Sequence, residues 1–124
     1  MIIPCEIASR TIVPSVRAMI AKELSESYKM RQNGIACILG VTQSAVSQYL
    51  GNVRGNTLNL ENVEEIGILI QEMTNILTTN PTSNTVCRKC CEACRIIREK
   101  RVLCKFHNQL DSSYDPLSCN ICIP

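Results

Sequence analysis

The segment Gln32–Gly51, QNGIACILGVTQSAVSQYLG, constrains the fold more than any other part of the chain. Its apolar spacing predicts a helix over 31–39, a tight turn at Gly40 and a second short helix over 42–50. Ala36 is small, so the two helices can approach closely. Gly40 can adopt the positive φ of a turn without a Cβ penalty. Ile35, Leu39, Val41, Val46 and Leu50 supply an apolar seam. The other face of the second helix is short and polar, carrying Thr42, Gln43, Ser44, Ser47 and Gln48. Such side chains reach base edges in a major groove, and glutamine can bond adenine bidentately. The expectation is binding to double-stranded DNA. Gln43, Ser44, Ser47 and Gln48 would face the bases, Thr42 would cap the helix or touch phosphate, and Arg54 would contact the backbone.

Aromatic residues make up only 3% of the chain, with no Trp and one Phe. The core must therefore be built from Ile, Leu, Val, Met and Ala, which suits an all-α bundle better than a sandwich of strands. At 124 residues the chain is one domain, or a small domain with an appendage. A net charge of +2 does not by itself announce nucleic acid. Locally, Arg88, Lys89, Arg95, Arg98, Lys100 and Arg101 crowd one stretch, while Glu61, Glu64, Glu65 and Glu72 make another unsuited to DNA. With a single His, no serine-triad context and no glycine-rich phosphate loop, no enzyme is expected. MIIPCEIASR lacks the marks of a signal peptide and no run is long enough for a membrane helix, so a cytoplasmic location is expected.

Residues 5–28 read as two helices, one ending near Val13 and one running from Pro14 to Tyr28, since proline is tolerated in a first helical turn. Val16, Met19, Ile20 and Leu24 mark the inner face of the second. A long helix is expected from about Leu60 to Leu77. Its residues Val63, Ile66, Ile70, Met73 and Leu77 alternate spacings of three and four, and Leu69 and Ile76 widen the stripe. A stripe this broad suits a homodimer; the competing expectation is a helix packed only within its own domain. Three segments follow: a DNA-binding domain over 1–79 with its dimerisation helix at about 60–77, a polar linker over 80–86, and a cysteine-rich module over 87–124.

That module holds Cys87, Cys90, Cys91, Cys94, Cys104, Cys119 and Cys122 out of nine cysteines in the chain. Cys87/Cys90, Cys91/Cys94 and Cys119/Cys122 are each Cys-x-x-Cys, and Cys104/His107 is Cys-x-x-His. Two such knuckles supply four ligands to one ion or cluster. Cys90 and Cys91 are adjacent and unsuited to sharing one compact site with both Cys87 and Cys94. The favoured ligands are therefore Cys91, Cys94, Cys119 and Cys122, with Cys104 or His107 able to replace one. Arg88, Lys89, Arg95, Arg98 and Arg101 would help to hold the thiolate charge. The mostly thiol donor set favours an iron–sulfur cluster that senses redox or iron state, with a structural zinc site as the alternative. Cys37 is expected in the core as a small hydrophobe. Cys5 is open between a low-pKa thiol and a ligand reaching across from the other end of the chain. His107 is equally open between a ligand and a solvated or helix-capping residue.

Gln32, Ala36, Gly40, Val41, Gln43, Ser44 and Val46 resemble the lambda-repressor-like (Cro/repressor type) helix-turn-helix. With Pro4-Cys5-Glu6, GVTQSAVSQYL, CEACRIIREKRVLCKFH and CNIC, the layout resembles archaeal predicted transcriptional regulators that join this motif to a C-terminal cysteine-rich tail. The resemblance implies a lambda-repressor-like bundle with a metal-stabilised tail, acting as a dimeric, sequence-specific DNA-binding regulator with Gln32 beside the recognition helix. Cys87 and Cys90 are additional to that pattern. An antitoxin-like protein-interaction module is the competing class.

Overall fold

The computed structural model describes residues 1–56, 58–80, 84–113, 115 and 117–122. These residues form seven helices and no strand: α1 (Pro4–Arg10), α2 (Ile12–Glu26), α3 (Gln32–Leu39), α4 (Gln43–Leu50), α5 (Glu64–Thr79), α6 (Thr85–Glu99) and α7 (Cys104–Leu110). None is long and apolar enough to cross a membrane.

The chain breaks at Thr11, not after Val13. Pro14 has no N–H to offer the carbonyl of Arg10 four residues back, so α1 ends at Arg10. Proline then falls in the first turn of α2, where an N–H would have no partner inside the helix. Side chains secure the junction: Thr11 Oγ1 donates to the Ile7 carbonyl at 2.8 Å, and Ser15 Oγ to the Thr11 carbonyl at 2.7 Å.

α2 is the central post, in contact with α1, α3, α4, α5 and α6. Its buried residues include Ile12, Val16, Ala18, Ile20, Ala21 and Leu24. Ala18 leaves room for the loop after α4. A Cβ at Gly55 would sit 2.5 Å from the Pro14 carbonyl oxygen and 2.8 Å from Ala18 Cβ, and Gly55 has φ +77°, so only glycine fits. Lys22 Nζ donates to Asn52 Oδ1 at 2.5 Å and ties the same loop to α2.

The seam on α5 is occupied within the chain. Ile66, Leu69, Ile70, Met73 and Leu77 are all buried, packed towards α2 and α6. The apolar pattern was legible, and α2 and α6 of the same chain cover most of it. Lys89 pairs with Glu72, and Lys100 with Glu65 at 3.3 Å; the first cation meets the later glutamate, so α5 and α6 run antiparallel. Of the expected linker 80–86, Thr85 and Val86 belong to α6, and 81–83 lie outside the described residues.

α6 therefore does not start a separate module. Its Ala93 and Ile97, with Leu103 beyond, belong to the same buried cluster as Ile12, Leu24, Ile35, Val46 and Met73. The half-buried Val86, Cys90 and Cys94 complete the inner stripe at helical spacing. α7 returns to pack on α1. Its His107 is only 6% exposed, and its Nε2 lies 2.6 Å from the Ile2 carbonyl oxygen. A carbonyl only accepts, so Nε2 carries the proton and donates. The N-terminal ammonium lies 4.0 Å from Asp111 Oδ2 at the end of the same helix.

Candidate nucleic-acid interface and metal centre

α3 and α4 meet through Gly40, whose φ of +67° places it in the left-handed region. The Val41 amide reaches back to the Ala36 carbonyl at 3.0 Å, which closes the turn. Thr42 then caps α4, its Oγ1 accepting from the Ala45 amide at 3.1 Å. Ile35, Val46 and Tyr49 are buried and seat the pair on the core. Burial of this face points the other face outward: Thr42, Gln43, Ser44 and Ser47 are exposed, and Gln48 is half-buried. Gln43 does not swing freely. Its Nε2 donates to Gln32 Oε1 at 3.3 Å, so the first residue of α3 braces the first residue of α4. The backbone amides of Val53 and Arg54 donate to the Gln48 carbonyl at 2.9 and 3.2 Å, which fixes exposed Arg54 at the end of the same face.

Apart from Cys37 on α3, the cysteines lie elsewhere, on α1, α6, α7 and the C-terminal segment. Cys87, Cys90, Cys91 and Cys94 follow three- and four-residue spacing and form a single stripe on α6. Cys87 and Cys91 are exposed, whereas Cys90 and Cys94 are half-buried. Burial raises the thiol pKa of Cys90, helped by the neighbouring Cys91 and Cys94 sulfurs and opposed by Arg17. Burial likewise raises that of Cys94, against the pull of Arg98. As neutral thiols both pack like small apolar residues, and binding a metal must release their protons.

Arg98 stands among the sulfurs. Its Nε donates to Cys122 Sγ at 3.5 Å. That bond, with the nearby Cys5 and Cys94 sulfurs, raises its pKa against burial. Arg101 donates to the Cys119 carbonyl at 2.8 Å and holds the other end of the Cys119/Cys122 knuckle. Cys104, Cys119 and Cys122 line one pocket together with Arg98 and His107, while Cys5, Cys90, Cys91 and Cys94 line another. The donor chemistry fits a thiophilic metal. The thiols have not converged on a point, because among the described residues no three His, Cys, Asp or Glu side chains form a metal-holding group.

Five sequence expectations change in detail. Cys37 is exposed, because α3 turns Ile35 and Ala36 inward and the next residue lies about 100° around the helix. His107 is neither solvated nor offering Nε2 to a metal, since Ile2 takes that nitrogen's proton. Lys89 does not help to hold thiolate charge but pairs with Glu72. The Cys91/Cys94 pair, expected in a cysteine module separate from the helical domain, lies inside a continuous helix that packs on α5. Cys5, left open in the sequence, faces the α6 thiols. Its one signal in the sequence is an unpaired cysteine at the start of an N-terminal helix. No protein-family model, curated protein or solved structure matches the chain.

Proposed function

We propose that this chain is a sequence-specific DNA-binding regulator with a lambda-repressor-like helix-turn-helix, and that its cysteine-bearing flank holds an iron–sulfur cluster. The observation that carries the DNA reading is the outer face of α4. Thr42, Gln43, Ser44 and Ser47 stand exposed on a helix anchored by Val46 and Tyr49, with Gln43 held by Gln32. A preoriented amide is suited to bidentate bonding at an adenine edge, and Arg54 beyond the other end of α4 to a phosphate.

The cluster reading is supported by sulfur-rich chemistry. Cys94, Cys104, Cys119 and Cys122 gather around Arg98, and the one imidazole is engaged through Nε2. Arg98 and Arg101 would balance thiolate charge. A bound cluster would supply a redox-sensitive and iron-sensitive link between α6 and the C-terminal segment.

The deciding experiment selects fragments from random duplex DNA with anaerobically purified protein, then compares the wild type with Gln43→Ala. The variant should bind the selected site about 1–3 kcal/mol more weakly and accept other bases at one position. Enrichment of no sequence by the wild type would sink the DNA reading. Absorption and metal analysis of the same preparation test the centre. Visible charge-transfer bands with iron and sulfide support the cluster, and a colourless protein with zinc replaces it by a structural clip.

A further inference from the structure

We propose that Cys5 on α1 is a ligand of this metal centre, so that the centre joins the N-terminal helix to α6 and the C-terminal segment. The inference rests on the metal-binding reading above. Its basis is the position of α1 between the two groups of thiols. Cys5 shares an apolar depression with Cys90, Cys91 and Cys94. Its neighbours Pro4 and Ile7 line the adjoining pocket that holds Cys104, Cys119 and Cys122. α1 thus lines both pockets, with Cys5 on the side of the α6 thiols.

Arg98 reports the same arrangement from its own side. The sulfurs that act on its guanidinium belong to Cys122, Cys5 and Cys94. They come from three segments remote in sequence: α1, α6 and the C-terminal end. These thiols approach without meeting at a point, and as thiolates they would repel one another unless a cation lay between them. A guanidinium offers one positive charge, whereas a divalent ion or cluster offers more and bonds to sulfur directly. Cys91 is exposed, as Cys5 is, but it is the weaker candidate because it is not among the sulfurs that act on Arg98. The ligand set becomes Cys5, Cys94, Cys119 and Cys122, in place of one that includes Cys91.

The assignment changes what the centre can control. α1 packs on α2, and α2 carries α4. A ligand on α1 therefore braces the recognition helix through two helix–helix contacts. α6 also touches α2, so a centre confined to α6 and the C-terminal end would brace α2 from one side only.

The test is cysteine alkylation of the full chain, read residue by residue by mass spectrometry. Protein loaded with zinc alone, or with iron and sulfide anaerobically, is compared with chelator-stripped protein. Cys37, exposed on α3 and outside both pockets that hold the proposed ligands, is the internal standard. Loading should slow alkylation of Cys5, Cys94, Cys119 and Cys122 by about tenfold or more and leave Cys37 and Cys91 unchanged. Cys5→Ser should lose bound metal while keeping its helical circular dichroism, and Cys91→Ser should retain its metal. Should the serine variant fail to fold, the alkylation of the wild type decides. Cys5 reacting as fast as Cys37 while Cys94 and Cys122 are protected would overturn this proposal and leave the metal reading standing. A wild type that binds neither zinc nor an iron–sulfur cluster would overturn both.

Discussion

α5 and α6 lie side by side and use the same helical geometry for opposite ends. The inner face of α5 is entirely committed to packing, with Ile66, Leu69, Ile70, Met73 and Leu77 buried. α6 buries only Ala93 and Ile97 fully, and its sulfurs run from the half-buried Cys90 and Cys94 to the exposed Cys87 and Cys91. The first helix has its stability from dry aliphatic contact. The second takes its position from that core and uses the remaining surface for thiols. Side chains three and four apart on one helix are neighbours whatever their chemistry, so a stripe that would otherwise be leucine becomes an array of donors when it is cysteine.

The largest effect should come from charging the packed side of this comparison. Ile70 is 5% exposed and Ile68, on the same helix, 52%. Ile70→Asp should destabilise by more than about 4 kcal/mol and unfold the whole chain, since a buried carboxylate has no partner there. Ile68→Asp should change stability by less than about 0.5 kcal/mol. Chemical denaturation followed by circular dichroism measures both, with sedimentation of the folded fractions. An Ile70→Asp chain that stays folded and only changes its oligomeric state would return the α5 seam to an interface between copies.

The next effect tests whether α6 shares the core. Ile97→Ala should cost about 2–5 kcal/mol, as for a fully buried aliphatic truncation. Because Ile97 and Val46 lie in one cluster, amide exchange in α4 and α6 should accelerate together. Acceleration confined to α6 and α7 would divide the chain into two cooperative units after all.

The helices at 32–39 and 43–50 were legible because their information is local: an apolar period, a glycine at the turn, a threonine cap. The α5 stripe was equally legible, but its partner was not. TVCRKCCEACRIIRE reads as polar and metal-binding when every cysteine is taken as a ligand. Half-buried Cys90 and Cys94 in fact extend a stripe with Val86, Ala93 and Ile97, and that stripe meets α5. The approach of Cys5, Cys94 and Cys122 to Arg98 was hidden for another reason. It depends on α7 and the C-terminal end folding back beside α1, and no periodicity encodes a contact between the two ends of a chain. The break at Thr11 could have been placed from Pro14, by counting four residues back to the carbonyl that loses its donor.

On the DNA side, the comparison lies between base reading and backbone contact. Gln43→Ala removes the amide held by Gln32, and Gln32→Ala removes the brace but keeps the amide. The second should therefore cost less than the first, within about 0.5–1.5 kcal/mol for one hydrogen bond, and relax the same base position. Arg54→Ala should weaken binding alike on all sequences and lower the magnitude of the salt slope by about 1. Binding isotherms across salt separate the three. Equal losses on specific and random DNA for Gln43→Ala would move base recognition off α4.

The smallest effect lies in the exposed charges that dress both regions. Glu65 has its pKa lowered by its backbone hydrogen bond and then by Lys100, and Asp111 by the Ser113 hydroxyl and amide. Both are depressed in the fold, so each stabilises the native state above its unfolded pKa. That contribution disappears as pH falls through the lower folded value. Both lie at the surface, and solvent screening keeps the gain small. Thermal melts should show a slight loss on going from pH 6 to about pH 3, reduced in Glu65→Gln and in Asp111→Asn. The loss from Asp111 should appear first in exchange of the residue 2 amide, because a bond from the Ile2 backbone is also among the causes of its shift. An acid transition of undiminished size in the double variant would place the titrating groups elsewhere, and the ion pair between α5 and α6 would then set their antiparallel register without adding to stability.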